Sequence, residues 1–212
     1  MPLLSHRPSL MQLVQQNGCA LVLGTPELRA DRELVFEAVY QNGLALQSAS
    51  VELRADPWIV RSAMGSYTQA LLYASPELRA NRRIVLEKIP DNGRVLEYAA
   101  HEVRADRAFV FKCVQHNGTA FLFAAPELHA DKEFVLKVVR FDGLALQYTL
   151  MEMRADREVV ETAVRQKGFS LYYATEELRR DPDLLHLCGK PRMVRCVVKG
   201  CDRVDSCAHR DY

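Results

Sequence analysis

Glu27-Leu-Arg-Ala-Asp31-Arg-Glu-Leu-Val-Phe-Glu-Ala-Val-Tyr-Gln-Asn-Gly43-Leu-Ala-Leu46 decides the fold, because most of its features return 25 residues later. Asp31, Asp56, Asn81, Asp106, Asp131, Asp156 and Asp181 mark the period. Gly18, Gly43, Gly93, Gly118, Gly143 and Gly168 keep the same interval, with Thr68 interrupting the series, and a third column is Glu throughout, from Glu27 to Glu177. Columns that share one period identify a repeat architecture. Residues 6–180 make seven full units, and 181 onward begins an eighth that loses the pattern.

Each unit has a physical reading. Leu34, Val35, Ala38 and Val39 fall on one helical stripe, which predicts a helix from Asp31 to Gly43. Asp31 suits the N-cap, where a carboxylate accepts from free first-turn amides at the positive end of the dipole. Pro57 and Pro182 follow their Asp at the first helical position, where a missing N–H costs nothing. Gly43 is expected to close the helix in the left-handed conformation. The apolar-periodic Leu44–Ser50 predicts a second helix of about two turns. The linking strings Thr25–Ala30 and Ser75–Ala80 carry Pro26 and Pro76, as Pro126 does later, and predict a 3₁₀-like turn.

Helices this short cannot bury their stripes alone, so the units must stack. Small residues at Ala49, Ala74, Ala99, Ala124 and Ala174 permit close approach, and Ser9, standing where later units have Leu34 or Ile59, suits an end unit. The expectation is an all-α fold: an α-solenoid of seven 25-residue repeats, each a longer helix, a shorter helix and a 3₁₀-like turn. It should occupy residues 1–185, followed by an irregular Cys-rich C-terminal tail over 186–212.

Lys plus Arg number 28 against 27 for Asp plus Glu, a net charge of +1 that gives no field to gather polyanions or an anionic bilayer. Nowhere do eighteen apolar residues run together, so no membrane insertion is expected. The amino terminus has no apolar signal core. Of six cysteines, Cys19 and Cys113 are isolated within repeats and the rest lie in the last 25 residues. That pattern suits a reduced intracellular compartment, cytoplasm or organelle interior.

The string Glu27 to Val35, its near copy Glu152-Met-Arg-Ala-Asp-Arg-Glu-Val-Val160, and Gln41-Asn-Gly-Leu-Ala-Leu46 together resemble a known repeat. The chain is similar, over residues 6 to about 185, to the helical-repeat domain of unknown function found in many copies in algal, other protist and some bacterial proteins. It resembles the leucine-rich-repeat variant more loosely, in period and in its alternation of α and 3₁₀ helices. Neither resemblance brings a catalytic residue. Thr68, Pro90 and the stretch from 186 depart from the pattern.

A repeated column offers several similar environments, whereas acid–base chemistry needs unlike ones. Arg29, Arg54, Arg79, Arg104, Arg154 and Arg179 are therefore read as reaching acids of the adjoining unit, in a ladder that fixes the stacking register. Tyr73, Tyr98, Phe123, Tyr148 and Tyr173 are read as packing between repeats. Recognition belongs where columns vary. One such column supplies Leu72, Leu122, Gln147 and Tyr172, another supplies Gln41, His116 and Phe141, and Trp58 stands on a polar helix face. These eight are the expected partner-binding residues. Cys188, Cys196, Cys201 and His209 make a weak candidate zinc set, because their spacings fit no common finger; no metal and no cofactor are expected.

No nucleophile elbow, phosphate loop or metal-hydrolase signature occurs, so an enzyme is not expected. The expected function is a non-enzymatic protein–protein interaction scaffold or structural subunit, binding a protein or peptide, alone or as part of a larger complex. Nucleic acid is disfavoured by the charge balance. The alternative is a single-stranded RNA-binding helical-repeat protein that reads with one or two side chains per repeat.

Overall fold

The computed structural model describes residues 3–188. Each repeat has three elements. A ten-residue α-helix follows the Asp, as in Arg32–Gln41, Pro57–Ser66, Lys132–Phe141 and Arg157–Gln166. A six-residue 3₁₀ helix follows, as in Gly43–Ser48 and Gly143–Tyr148, and then a single α-helical turn such as Val51–Arg54 or Pro76–Arg79. The fold is an all-α repeat solenoid.

The two short elements exchange the helix types expected of them. The arm after the glycine is 3₁₀ except in the repeat altered at Pro90, where it is the α-turn Val95–Tyr98, and the link is one turn of α-helix except for the first, Leu28–Ala30, which is 3₁₀. Length explains the arm. It must run back beside a ten-residue helix, and 3₁₀ geometry rises about 2.0 Å per residue against about 1.5 Å for α. Capping supports two of the α-helical links. The Ser50 and Ser75 side chains accept from the amides of Leu53 and Leu78, and Pro76 sits at the first helical position, so the chain is primed for an α start.

The chain divides into two compact units, Met1–Phe109 and Val110–Tyr212, the division falling within the helix Arg107–His116. In the first, Arg7–Gln16 packs on Arg32–Gln41 and that helix on Pro57–Ser66. The 3₁₀ helices Gly18–Leu23, Gly43–Ser48 and Thr68–Tyr73 stack in a parallel file. The core lies between the files, where Leu34, Val35, Ala38, Val39, Leu46, Ile59, Val60 and Leu71 are fully buried. Ser9, in the place of Leu34, is exposed. In the second unit Lys132–Phe141 packs on Arg157–Gln166 and that on Pro182–Leu187, with a 3₁₀ file of Gly118–Phe123, Gly143–Tyr148 and Gly168–Tyr173. Phe121, Phe134, Val135, Val139 and Leu171 fill its core.

Backbone hydrogen bonds also cross between repeats. The amides of Ser50, Ser75 and Ala100 donate to the carbonyls of Arg29, Arg54 and Arg79, each 2.9 Å away. Thr25 donates likewise to Leu4, so Leu3–Ser5 stands in for the link of a preceding repeat, and Leu4 pairs with Gly24 in an isolated parallel bridge.

Gly43 does not close its helix. Asn42 does, in extended conformation (φ −152°, ψ 111°), and Gly43 is the first residue of the 3₁₀ arm. Its column is kept by crowding. A Cβ on Gly18, Gly43 or Gly143 would come closer than real Cβ atoms approach to the carbonyl oxygen of Ala38, Ala63 or Ala163, one repeat on. Thr68 breaks this column where the following helix is also altered. Pro90 lacks the N–H that would continue that helix, which stops at Lys88, and Asn92 donates its side-chain amide to Thr68 Oγ1 at 3.1 Å.

Candidate functional site

The ladder that ties repeats together is made by the residue after each N-cap, not by the Arg29 column. Arg7 Nε reaches Asp31 at 2.6 Å and its Nη2 reaches Glu33 at 2.6 Å. Lys132 Nζ lies 2.7 Å from Asp156 and 2.9 Å from Glu158, and Arg157 bonds Asp181 and Asp183. A complete rung is thus one cation held by two acids of the next repeat: the N-cap and the residue two beyond it.

The N-cap acid does two jobs. Asp31 Oδ1 accepts from Leu34 N while its other oxygen faces Arg7, and the Arg7 hydrogen bond holds its carboxyl below the usual range. Arg157 does the same for Asp181, and at Asp106 the Phe109 amide leads. Burial works upward on Asp56 and Asp156, but backbone amides and the facing Arg32 or Lys132 outweigh it, so both also lie low.

Arg29, Arg54, Arg79, Arg104, Arg154 and Arg179, expected to form the ladder, instead carry an Nε that is buried without a hydrogen-bond partner. At their equivalent, His129, Nδ1 has none; the buried ring lies 4.5 Å from that of Phe121, and burial lowers its pKa. The Arg29 column serves stacking through its backbone carbonyls.

Three successive rungs of the first unit are incomplete. Arg32 keeps Asp56 at 3.1 Å, but its second acid is replaced by Trp58, over whose ring the guanidinium carbon lies 5.1 Å from the centroid. The next rung has no cation, because its place is Pro57; the cap it would have met is the neutral Asn81, and Arg83 takes the second acid's place. Arg82 reaches Asp106 at 2.7 Å, with Ala108 where a second acid would stand.

The same region holds an exposed aromatic cluster. The Trp58 ring stacks on Phe36, centroids 4.3 Å apart and planes at 25°, and Phe36 lies 6.2 Å from Tyr40. Trp58 is 48% exposed and Tyr40 67%. Arg32 and Phe36 belong to one helix, so both cover the Trp58 face turned toward it. Glu33, Arg83, Glu133 and Glu158 fill the Trp58 position elsewhere and are all exposed, so stacking of the repeats does not require tryptophan there.

The expected contact residues fall on two kinds of element. Trp58, Gln41, His116 and Phe141 lie on the ten-residue helices, and Leu72, Leu122, Gln147 and Tyr172 on the 3₁₀ helices. Trp58 is brought against Phe36. Phe141 meets Phe111, centroids 5.9 Å apart, with Lys137 Nζ 4.2 Å above the Phe111 ring. Tyr172 packs with Phe169 and Tyr173. Gln41 bonds Glu37 of its own helix at 2.9 Å. Leu72 and Leu122 are exposed single residues.

The Gln41 column is partly structural. Ser66 Oγ donates to Val39 O, and Gln166 both donates to Phe141 O and accepts from Gly143 N. The column of Tyr73, Tyr98, Phe123, Tyr148 and Tyr173 is half-buried throughout. Sequence reasoning missed Phe36, Tyr40, Arg32 and Arg83. The signal was present: Pro57 lacks a charge where, 24 residues on, Asn81 also lacks one. Of the zinc candidates, Cys188 is buried with Sγ donating to Gly168 O at 3.3 Å, and Cys196, Cys201 and His209 lie outside the described residues.

A 25-residue period, stacked helices and a ladder of ion pairs interrupted over three rungs define a helical-repeat protein. The chain belongs to the family described as a domain of unknown function (DUF4116), which matches residues 10–54, 31–79, 81–129 and 131–179 in tandem. Each match spans nearly two of the 25-residue repeats. Searches of curated proteins and of solved structures found no match.

Proposed function

We propose that the chain is a non-enzymatic scaffold that binds a protein or peptide on the helical face of its repeats. The carrying observation is the exposed stack of Trp58 on Phe36, beside Tyr40, at a position where other repeats place exposed charge. An apolar cluster left in water without serving the core marks a contact surface. The carboxylates support the same reading. Ladder acids held below their usual range stay ionised at neutral pH and are poorly suited to moving protons. No helix of the described residues is long and apolar enough to cross a membrane.

A photo-crosslinking residue at position 58, in the protein purified from its own cells, tests this. One protein labelled in stoichiometric amount, and not from position 12 on an outer helix face, is expected. Labelling of no protein at position 58 would remove the scaffold reading for this face. The RNA alternative has its own observation, since an indole face next to arginines can stack a base. Oligouridylate binding that weakens steeply with salt would favour it.

A further inference from the structure

We infer that the Phe36–Tyr40–Trp58 face docks an acidic segment of a partner protein that carries an apolar side chain among its carboxylates. The inference rests on the scaffold reading and adds the partner's chemistry. In complete rungs a cation is held by two acids, as Arg7 is by Asp31 and Glu33. In the Arg32 and Arg82 rungs the second acid is absent, its place taken by Trp58 and Ala108, while the arginine remains. Arg32 and Arg82 keep one carboxylate each, at 3.1 and 2.7 Å, with side chains more than half exposed. Arg83, exposed, stands where a complete rung has its second acid. One guanidinium with unused donors, that of Arg32, therefore lies over the exposed aromatic stack, two more stand on the helix one repeat further along, and a guanidinium presents five donors in a fork matched to carboxylate.

Restoring glutamate at position 58 would satisfy Arg32 from within the chain. The sequence has tryptophan there instead, so the second carboxylate of that rung is left for a partner to supply. Glu33 and Glu37 stand on the helix that carries Phe36 and Tyr40, and Glu87 pairs with Arg61 of the Trp58 helix at 3.0 Å. They would repel an unbroken line of phosphates, whereas a peptide can place its few carboxylates between them, which favours an acidic peptide over nucleic acid. The second unit gives the contrast. Its Phe111–Phe141 pair is covered by Lys137, and the Lys132 and Arg157 rungs nearby are complete.

Trp58 is the chain's one tryptophan, so its fluorescence reports this site alone. The full chain is titrated with a synthetic ten-residue peptide of alternating Asp and Glu around a central Leu-Phe pair, with its Lys-substituted counterpart, and with oligouridylate. The acidic peptide is expected to change the Trp58 emission saturably, with affinity falling as salt rises past about 0.15 M. By anisotropy of the labelled peptide, Arg83→Glu is expected to weaken binding about tenfold, Trp58→Glu to abolish it, and Trp58→Phe to retain part of it. Trp58→Glu should melt no lower than the parent, because it completes the Arg32 rung, so its loss of binding is not loss of fold. Equal binding of the Lys peptide, tighter binding of oligouridylate, no response to the acidic peptide at millimolar concentration, or indifference to Arg83→Glu would each overturn the inference. A partner still crosslinked at position 58 in the Arg83→Glu protein would leave the scaffold reading standing without it.

Discussion

At Gly18, Gly43 and Gly143 the glycine that begins the 3₁₀ arm is kept by a backbone oxygen one repeat away. Two glycines in adjacent repeats make a matched test. A Cβ on Gly43 would collide with the backbone carbonyl of Ala63, which cannot yield without moving the helix Pro57–Ser66. Gly65 lies within that same helix with nothing within 4 Å of where its Cβ would be. Gly43→Ala should cost about 1–3 kcal/mol through overpacking, and Gly65→Ala should gain about 0.5–1 kcal/mol because alanine loses less entropy in a helix. Thermal melts of the two variants check the pair; a gain at both positions would mean that the repeats do not approach as closely as described. The glycine column was plain in the sequence, but its cause was not, because a left-handed helix end and a close approach leave the same residue behind. The arginines show the same limit. The Arg29 column looked like the ladder because it is nearly constant, but the true ladder positions, Arg7, Arg32, Pro57, Arg82, Arg107, Lys132 and Arg157, are almost as regular, and only distances tell which cations touch acids.

Elements were legible in order and number but not in helix type, since an apolar pattern such as Ala45, Leu46 and Ala49 suits one turn of either helix. Neighbouring residues of one 3₁₀ arm test the assignment of its faces. Leu71 is fully buried and Leu72 is 46% exposed, so Leu71→Asp should abolish most of the circular-dichroism signal at 222 nm near 37 °C while Leu72→Asp leaves it unchanged. Equal effects would mean that the arm is turned otherwise. The starts of the ten-residue helices predict the acid response. Asp31, Asp56, Asp106, Asp156 and Asp181 have folded-state pKa values below their unfolded ones. Their contribution is therefore complete above the unfolded value, about 3.9 for a free aspartate, and is lost as pH falls through the lower folded values. Melting temperature should hold down to about pH 5 and fall below about pH 4. Asp156→Asn keeps an acceptor for the amides of Glu158 and Val159 but cannot titrate, so its melting temperature should fall less over that window. Asp156→Ala loses the cap as well, at about 0.5–2 kcal/mol. An Asn variant as acid-sensitive as the parent would show that the ladder charge does not govern the transition.

At the scale of the molecule, no repeat has a private core. Val139 is fully buried in the helix Lys132–Phe141, which packs on Arg157–Gln166 and on the 3₁₀ arm Gly143–Tyr148. Gly143 N bonds Gln166 of the following repeat, and Lys132 binds Asp156 and Glu158 across the same boundary. A charge placed at 139 would have no partner, and burying it costs far more than one repeat can hold. In a stack where stability is a sum of weak units and strong interfaces, the loss spreads to the nearest neighbours first. Val139→Asp should therefore strip hydrogen-exchange protection from Lys132–Phe141, Gly143–Tyr148 and Arg157–Gln166 together, at closely similar opening free energies. Val35→Asp should do the same for Arg7–Gln16, Arg32–Gln41 and Pro57–Ser66, because Val35 is fully buried in the first unit's helical file. Protection lost from a single repeat, with its neighbours intact, would mean that the units are self-sufficient. The surface around Trp58 would then have to be understood as belonging to one small domain, and the ladder would no longer explain why its carboxylates are missing.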